Sequence, residues 1–119
     1  SKKIEKSKND LLNLLIKLKK QGKSVAGYAA TSKSTTILNL CEINSDLIDY
    51  ISDTTLDKQN KFSPGMHIPI KSNDYFKKNY PDYAVLFAWN HKEEIFKKEK
   101  EFIKNGGKWI VFIPEVKIL

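Results

Sequence analysis

The strongest constraint on the fold is a nearly unbroken apolar run, YAVLFAW, at residues 83–89. A strand with one face in water alternates apolar and polar residues, whereas a strand covered on both faces is apolar throughout. The run is far shorter than the ~20 residues that cross a bilayer. It therefore predicts a central strand with helices packed on both of its faces.

Further strand-length segments alternate along the chain with segments in which apolar residues recur at helical spacing. The additional predicted strands cover residues 24–28, 47–53, 67–70 and 109–113. The predicted helices cover residues 4–21, 31–41, 74–79 and 91–105. Because parallel strands need crossover connections, this alternation predicts an α/β domain. We expect a single Rossmann-like, three-layer domain over residues 1–119, with a mainly parallel sheet of about four or five strands.

The amino-acid composition argues against several classes of function. The chain has 119 residues, one cysteine and two histidines, too few for an internal disulfide or a closed zinc site. Its 21 basic residues are all lysine, so the arginine fork that reads guanine edges is absent. The N-terminal residues are charged where a signal peptide is apolar. We expect a cytoplasmic protein with no structural metal, nucleic-acid partner or membrane segment.

The turn after the first strand is the best candidate binding segment, because open parallel sheets bind ligands beyond the carboxyl ends of their strands. Small side chains fill this turn at the start of a helix, where backbone amides favour an anion. Ser32 and Ser34 add hydroxyl groups and Lys33 adds an ammonium. The turn therefore predicts a phosphate or diphosphate site. The alternative is that its small residues only allow a helix to pack closely on the strand.

Other strand ends supply weaker candidates. Asp53 ends the second predicted strand, where Rossmann folds often keep an acid for a ribose hydroxyl, although aspartate also initiates turns. Trp89 is suited to stacking on a base or sugar, or to packing in the core or at a subunit contact. His67 and His91 have no visible partner in the sequence, which is more typical of structural or exposed histidines. The catalytic residues are unknown from the sequence.

Three segments taken together resemble the C-terminal domain of S-adenosylmethionine-dependent sugar C-methyltransferases. These are VAGYAATSKSTTILN at residues 25–39, IDYISD at 48–53 and KQNKFSPGMHIPI at 58–70. Four later segments agree in order and spacing: residues 81–83, 88–90, 106–108 and 113–115. The resemblance covers roughly residues 10–117. The family usually has glycines where this chain has Ala29 or Ala30 and Ser34.

The resemblance implies a Rossmann-like module that helps to hold a nucleotide-linked sugar. It also implies preceding domains that bind zinc and S-adenosylmethionine and carry the catalytic base, so this chain alone is expected to bind no cofactor and to be inactive. The diphosphate would be faced by Tyr28, Ser32, Lys33 and Ser34. Asp53 would face a ribose or sugar hydroxyl, and the neighbouring wall would comprise Lys58, His67, Trp89 and Asn90.

Two other functions stay open at this point. The chain is also compatible with a stand-alone Rossmann-like module that binds a dinucleotide or coenzyme A. Residues 1–23 carry eight lysines against two acids, which is compatible with a docking module. In that case the first helix and Trp89 would meet another domain or a second copy of the chain, forming a homo-oligomer.

Overall fold

The computed structural model describes residues 2–28, 43–53, 67–87, 91–112 and 115–119, with only the backbone for residues 2–4. The helices in these ranges are α1 (Lys2–Lys20), α2 (Asn73–Lys78), α3 (Lys92–Lys98) and α4 (Lys100–Lys104). The strands are β1 (Val25–Tyr28), β2 (Ile51–Ser52), β3 (Ile70–Lys71), β4 (Tyr83–Leu86), β5 (Lys108–Val111) and β6 (Lys117–Ile118). The helix predicted over residues 31–41 lies outside the described residues.

The described strands form one sheet in the order β3-β2-β1-β4-β5-β6. The first five run parallel, and β6 pairs antiparallel with β5. The predicted α/β class is confirmed, with one edge strand more than expected. From β1 the chain adds β2 and β3 on one side and β4 and β5 on the other. The strand order therefore reverses between β1 and β4, which makes a topological switch point there.

One face of the sheet is covered by α1 through aliphatic packing. Leu11, Leu15 and Leu18 are buried at helical spacing and contribute to a cluster with Val25 of β1. The helix ends as predicted near Gly22, whose φ is 75°. The backbone N–H of Lys23 donates to the carbonyl of Leu18, closing the last turn. Hydrophobic burial of this stripe therefore fixes α1 on the sheet.

The opposite face is packed with aromatic side chains from the strands and from α2 to α4. Trp109 of β5 is fully buried, and its ring centroid lies 5.1 Å from that of Phe102 and 5.3 Å from that of Phe96. Phe76 of α2 is also fully buried and lies 5.2 Å from Phe102. Edge-on and tilted aromatic pairs of this kind stabilise the fold by more than the burial of their apolar surface alone. Helices on both faces confirm the three-layer prediction.

The single helix predicted over residues 91–105 is wrong in one respect. The structure divides it into α3 and α4 at Glu99, whose φ and ψ are −107° and 33°. Ile103 is 51% exposed although it is apolar, because its neighbour Phe102 occupies the core and successive helical residues point about 100° apart.

The second strand is shorter than the prediction of residues 47–53. Residues 45–47 form a turn, and the ladder begins where the N–H of Asp49 donates to the carbonyl of Val25. Ile48 is nevertheless buried, so its apolar character reflects packing under the sheet rather than pairing within it. Within the described ranges, no helix is long and apolar enough to cross a membrane.

Substitution of Gly107 by alanine is expected to lower the free energy of unfolding by about 1–3 kcal/mol, the usual cost of overpacking. An added Cβ would lie 2.1 Å from the Phe102 ring, which is fully buried and contacts the rings of Phe76 and Trp109. Urea denaturation measures the change. The exposed control Lys98→Ala is expected to stay within about 0.5 kcal/mol of the parent. Equal stabilities of the two variants would contradict the packing account.

Candidate functional site

The candidate site is the edge of the sheet formed by the carboxyl ends of β1, β2 and β4, which we call the rim. Of the residues predicted from the sequence, Tyr28 and Asp53 lie at this edge. His67 is also described but lies elsewhere. The remaining predicted residues lie outside the described ranges: Ser32, Lys33, Ser34, Lys58, Trp89 and Asn90.

Tyr28 is the last residue of β1, and its side chain points into the aromatic layer rather than into solvent. Its ring meets Phe76 and Trp109 edge-on, with centroids 5.2 and 5.4 Å away. Its hydroxyl donates a hydrogen bond to the carboxylate of Glu99. The side-chain amide of Asn73 donates to the same hydroxyl at 3.4 Å. Protein groups therefore surround the tyrosine hydroxyl just below the rim.

The hydrogen bonds at Tyr28 extend to β2. The hydroxyl of Ser52 donates to the side-chain carbonyl of Asn73 at 2.6 Å. Ser52 and Tyr28 are also register partners in the parallel ladder. We call these four residues, Ser52, Asn73, Tyr28 and Glu99, the Tyr28 network. It connects β2, the first residue of α2, β1 and the junction of α3 with α4.

Burial governs the electrostatics of the Tyr28 network. Burial raises the pKa of Tyr28 well above its usual value, and the hydrogen bond to Glu99 and the charge of Glu99 raise it further. Hydrogen bonding with Asn73 acts in the opposite direction. Glu99 is only 1% exposed, and in the described part of the chain its Oε1 has no hydrogen-bond partner. The neutral tyrosine is therefore the form that this environment favours.

Asp53 follows β2 directly and is buried at the rim. Its backbone N–H donates to the carbonyl of Lys71, so the parallel ladder continues through this residue. His67 is placed differently: it is exposed, has a φ of 56° and precedes β3. Because His67 precedes β3, it lies on the side of the sheet where the parallel strands begin. Tyr28 and Asp53 lie at the opposite edge, where the strands end.

Gly27 lies within β1, and an added Cβ there would lie 2.6 Å from the Phe87 ring and 3.1 Å from Ile51. The small size of Gly27 thus serves packing within the sheet. In the described ranges, no three His, Cys, Asp or Glu residues are grouped to hold a metal ion.

Comparison with known proteins agrees with the sequence resemblance. The family model for the C-methyltransferase C-terminal domain matches residues 1–114. The chain belongs to this family. It is also 46% identical over 98 residues to the C-methyltransferase NovU of Streptomyces niveus. That alignment covers 82% of the chain but 23% of NovU, so the chain spans about a quarter of this relative.

Sequence reasoning missed three residues of the Tyr28 network in this C-methyltransferase domain. Ser52 and Asn73 carry ordinary polar side chains next to a strand and a helix, and only the register of β1 with β2 brings Ser52 beside Tyr28. Glu99 stands among lysines in a segment with helical spacing, where an exposed acid is typical. Only by placing the first two predicted strands side by side in a parallel sheet could the sequence have indicated that Ser52 lies next to Tyr28.

Alkaline pH is expected to destabilise the C-methyltransferase domain partly through Tyr28. The folded-state pKa of Tyr28 is raised above its unfolded value, so its contribution is complete below pH about 10 and is lost as pH rises above that value. Chemical denaturation between pH 9 and about 11 measures this loss. Tyr28→Phe is expected to flatten the decline by up to about 1.4 kcal/mol per pH unit.

Tyr50→Phe is the companion variant, because burial also raises the pKa of Tyr50. It is expected to flatten the same decline, and the double variant to flatten it further. If the stability of Tyr28→Phe declines with rising pH as steeply as that of the parent, ionisation of Tyr28 does not contribute to the loss of stability, and the prediction is wrong.

Proposed function

We propose that this domain holds the nucleotide-linked sugar in an S-adenosylmethionine-dependent C-methyltransferase and does not methylate in isolation. The observation that carries the proposal is the reversal of strand order between β1 and β4. Ligands of open α/β sheets bind at such a switch point, outside the carboxyl ends of the strands. The predicted first turn, residues 29–36, follows β1 in the sequence and carries a lysine and several hydroxyl groups, among them those of Ser32 and Ser34.

Within this proposal, the first turn contacts the diphosphate through Ser32, Lys33 and Ser34. A lysine suits this contact as a compact charge even though the chain has no arginine. Asp53 accepts a hydrogen bond from a ribose or sugar hydroxyl, since it lies at the same edge of the sheet. Lys58, Trp89 and Asn90 complete the wall by sequence position. His67 is left out because it precedes β3.

The chemical step belongs to preceding domains in this proposal. A base there would remove the proton beside a keto group of the sugar. The resulting enolate carbon would bond to the methyl group of S-adenosylmethionine as the sulfur–methyl bond breaks, and S-adenosylhomocysteine would leave. The role of this domain is to fix the sugar, which lowers the entropic barrier to that attack.

Titration of the domain with dTDP, followed by NMR, tests the proposal. We expect shifts in the amides that follow β1 and β2, including that of Asp53. Lys33→Ala is expected to weaken dTDP binding about tenfold, the usual effect of losing one charge-assisted hydrogen bond. The matched control is Lys97→Ala, an exposed lysine in the last turn of α3, which is expected to bind as the parent does.

Two outcomes would contradict the assignment. Shifts confined to Ser24 and Asp82, which pair with each other at the amino ends of β1 and β4, would place the ligand on the wrong edge. Tighter binding of coenzyme A or NAD than of dTDP, measured in the same titration, would favour the dinucleotide or coenzyme A alternative.

A further inference from the structure

The burial of Glu99 is expected to lower the stability of the fold. Its carboxylate is buried beside an aromatic layer, at the residue where α3 ends and α4 begins. A buried charged or polar group is destabilising unless its partners compensate, and a well-packed apolar residue is often at least as stable there. The described hydrogen bond to this carboxylate comes from Tyr28. Stability alone therefore does not account for Glu99.

The position of Tyr28 shows what the interaction fixes. Tyr28 is the final residue of β1 at the switch point, and the first turn follows it directly. Glu99 holds its hydroxyl from the α3–α4 junction, and Asn73 holds it from the start of α2. The hydroxyl is thus tied to two separate helical elements on the same face of the sheet. Movement of the end of β1 would break both contacts.

The same network reaches the second side of the rim. Asn73 accepts a hydrogen bond from Ser52, the residue immediately before Asp53. Ser52 is fully buried, so it acts from beneath the rim and not on a ligand. The helix that carries Asn73 is itself fixed by Ser72, whose hydroxyl accepts a hydrogen bond from the N–H of Tyr75 at 3.1 Å. Two rim segments are thereby anchored through one asparagine.

We propose that Glu99 and Tyr28 are positioning residues for the nucleotide-linked sugar. Glu99 acts through Tyr28 to set the carboxyl end of β1, and Asn73 and Ser52 set Asp53 relative to it. This inference rests on the proposed function and changes the role expected of Tyr28 from direct contact to support. Its consequence is that loss of a hydroxyl below the rim weakens substrate binding without removing any group that touches the substrate.

Steady-state kinetics of the full-length methyltransferase that carries this domain tests the inference. Tyr28→Phe and Glu99→Leu are each expected to raise KM for the nucleotide-linked sugar about tenfold, since misplacement of positioning groups by a fraction of an ångström is costly. KM for S-adenosylmethionine is expected to be unchanged. Glu99→Gln keeps an acceptor for Tyr28 and is expected to recover most of the affinity lost in Glu99→Leu.

Tyr50→Phe is the matched control for a general loss of stability. Tyr50 is a buried tyrosine on the same face, and its hydroxyl donates to the carbonyl of Asn79 at 2.9 Å. Asn79 lies where α2 returns toward the amino end of β4, away from the rim. Tyr50→Phe is expected to lower the melting temperature about as much as Tyr28→Phe while leaving KM for the sugar unchanged.

The outcomes separate the two proposals. A parent domain that does not bind dTDP would overturn the proposed function and this inference with it. Binding by the parent with an unchanged KM in Tyr28→Phe would overturn the positioning role alone. Equal increases in KM in Tyr28→Phe and Tyr50→Phe would also overturn it, because the effect would then follow stability. If Glu99→Leu does not fold, Tyr28→Phe and Glu99→Gln still decide the question.

Discussion

The pairing of β1 with β4 is the interaction on which the rest of the structure depends. The two strands match residue for residue from Val25 with Tyr83 to Tyr28 with Leu86. The Phe87 ring fills the space beside Gly27 that a side chain would otherwise occupy. Any larger residue at Gly27 would push the ring or the strand away. The ladder hydrogen bonds set the spacing of the two central strands, and the close packing at Gly27 covers one face of the pair.

The two faces of this strand pair differ in the kind of packing they provide. The α1 face is mostly aliphatic, and such packing accommodates small adjustments between neighbouring side chains. The other face is aromatic, where flat rings meet at defined angles and tyrosine adds a polar group to an apolar body. A hydrogen-bond network is compatible with this second face because Tyr28 has its ring in the core and its hydroxyl at the edge. The more strictly oriented layer is thus the one beneath the rim.

The sequence predicted those parts of the fold that depend on burial of a continuous segment. The apolar runs that became β1, β4 and β5 were identified because both faces of each strand are covered, and α1 was identified by its leucine spacing. The break at Glu99 was missed because the local sequence favours a continuous helix, and the residue at the break makes its hydrogen bond with Tyr28, 71 positions away in the chain. β6 was missed because its two residues are exposed, so burial leaves no pattern there.

The chemistry of the first turn was predicted from residue types alone, and those residues lie outside the described ranges.

A domain that only positions a substrate has different physical requirements from one that performs the reaction. In the proposed function, the nucleotide and diphosphate do not take part in the methylation, and their binding energy is used to orient the sugar. That use requires segments held by rigid elements, since a flexible attachment would bind the nucleotide without fixing the sugar. It does not require a perturbed acid or base at the rim. A buried carboxylate that holds the last hydroxyl of β1, rather than one exposed to substrate, is what such a domain needs, and Glu99 occupies that place.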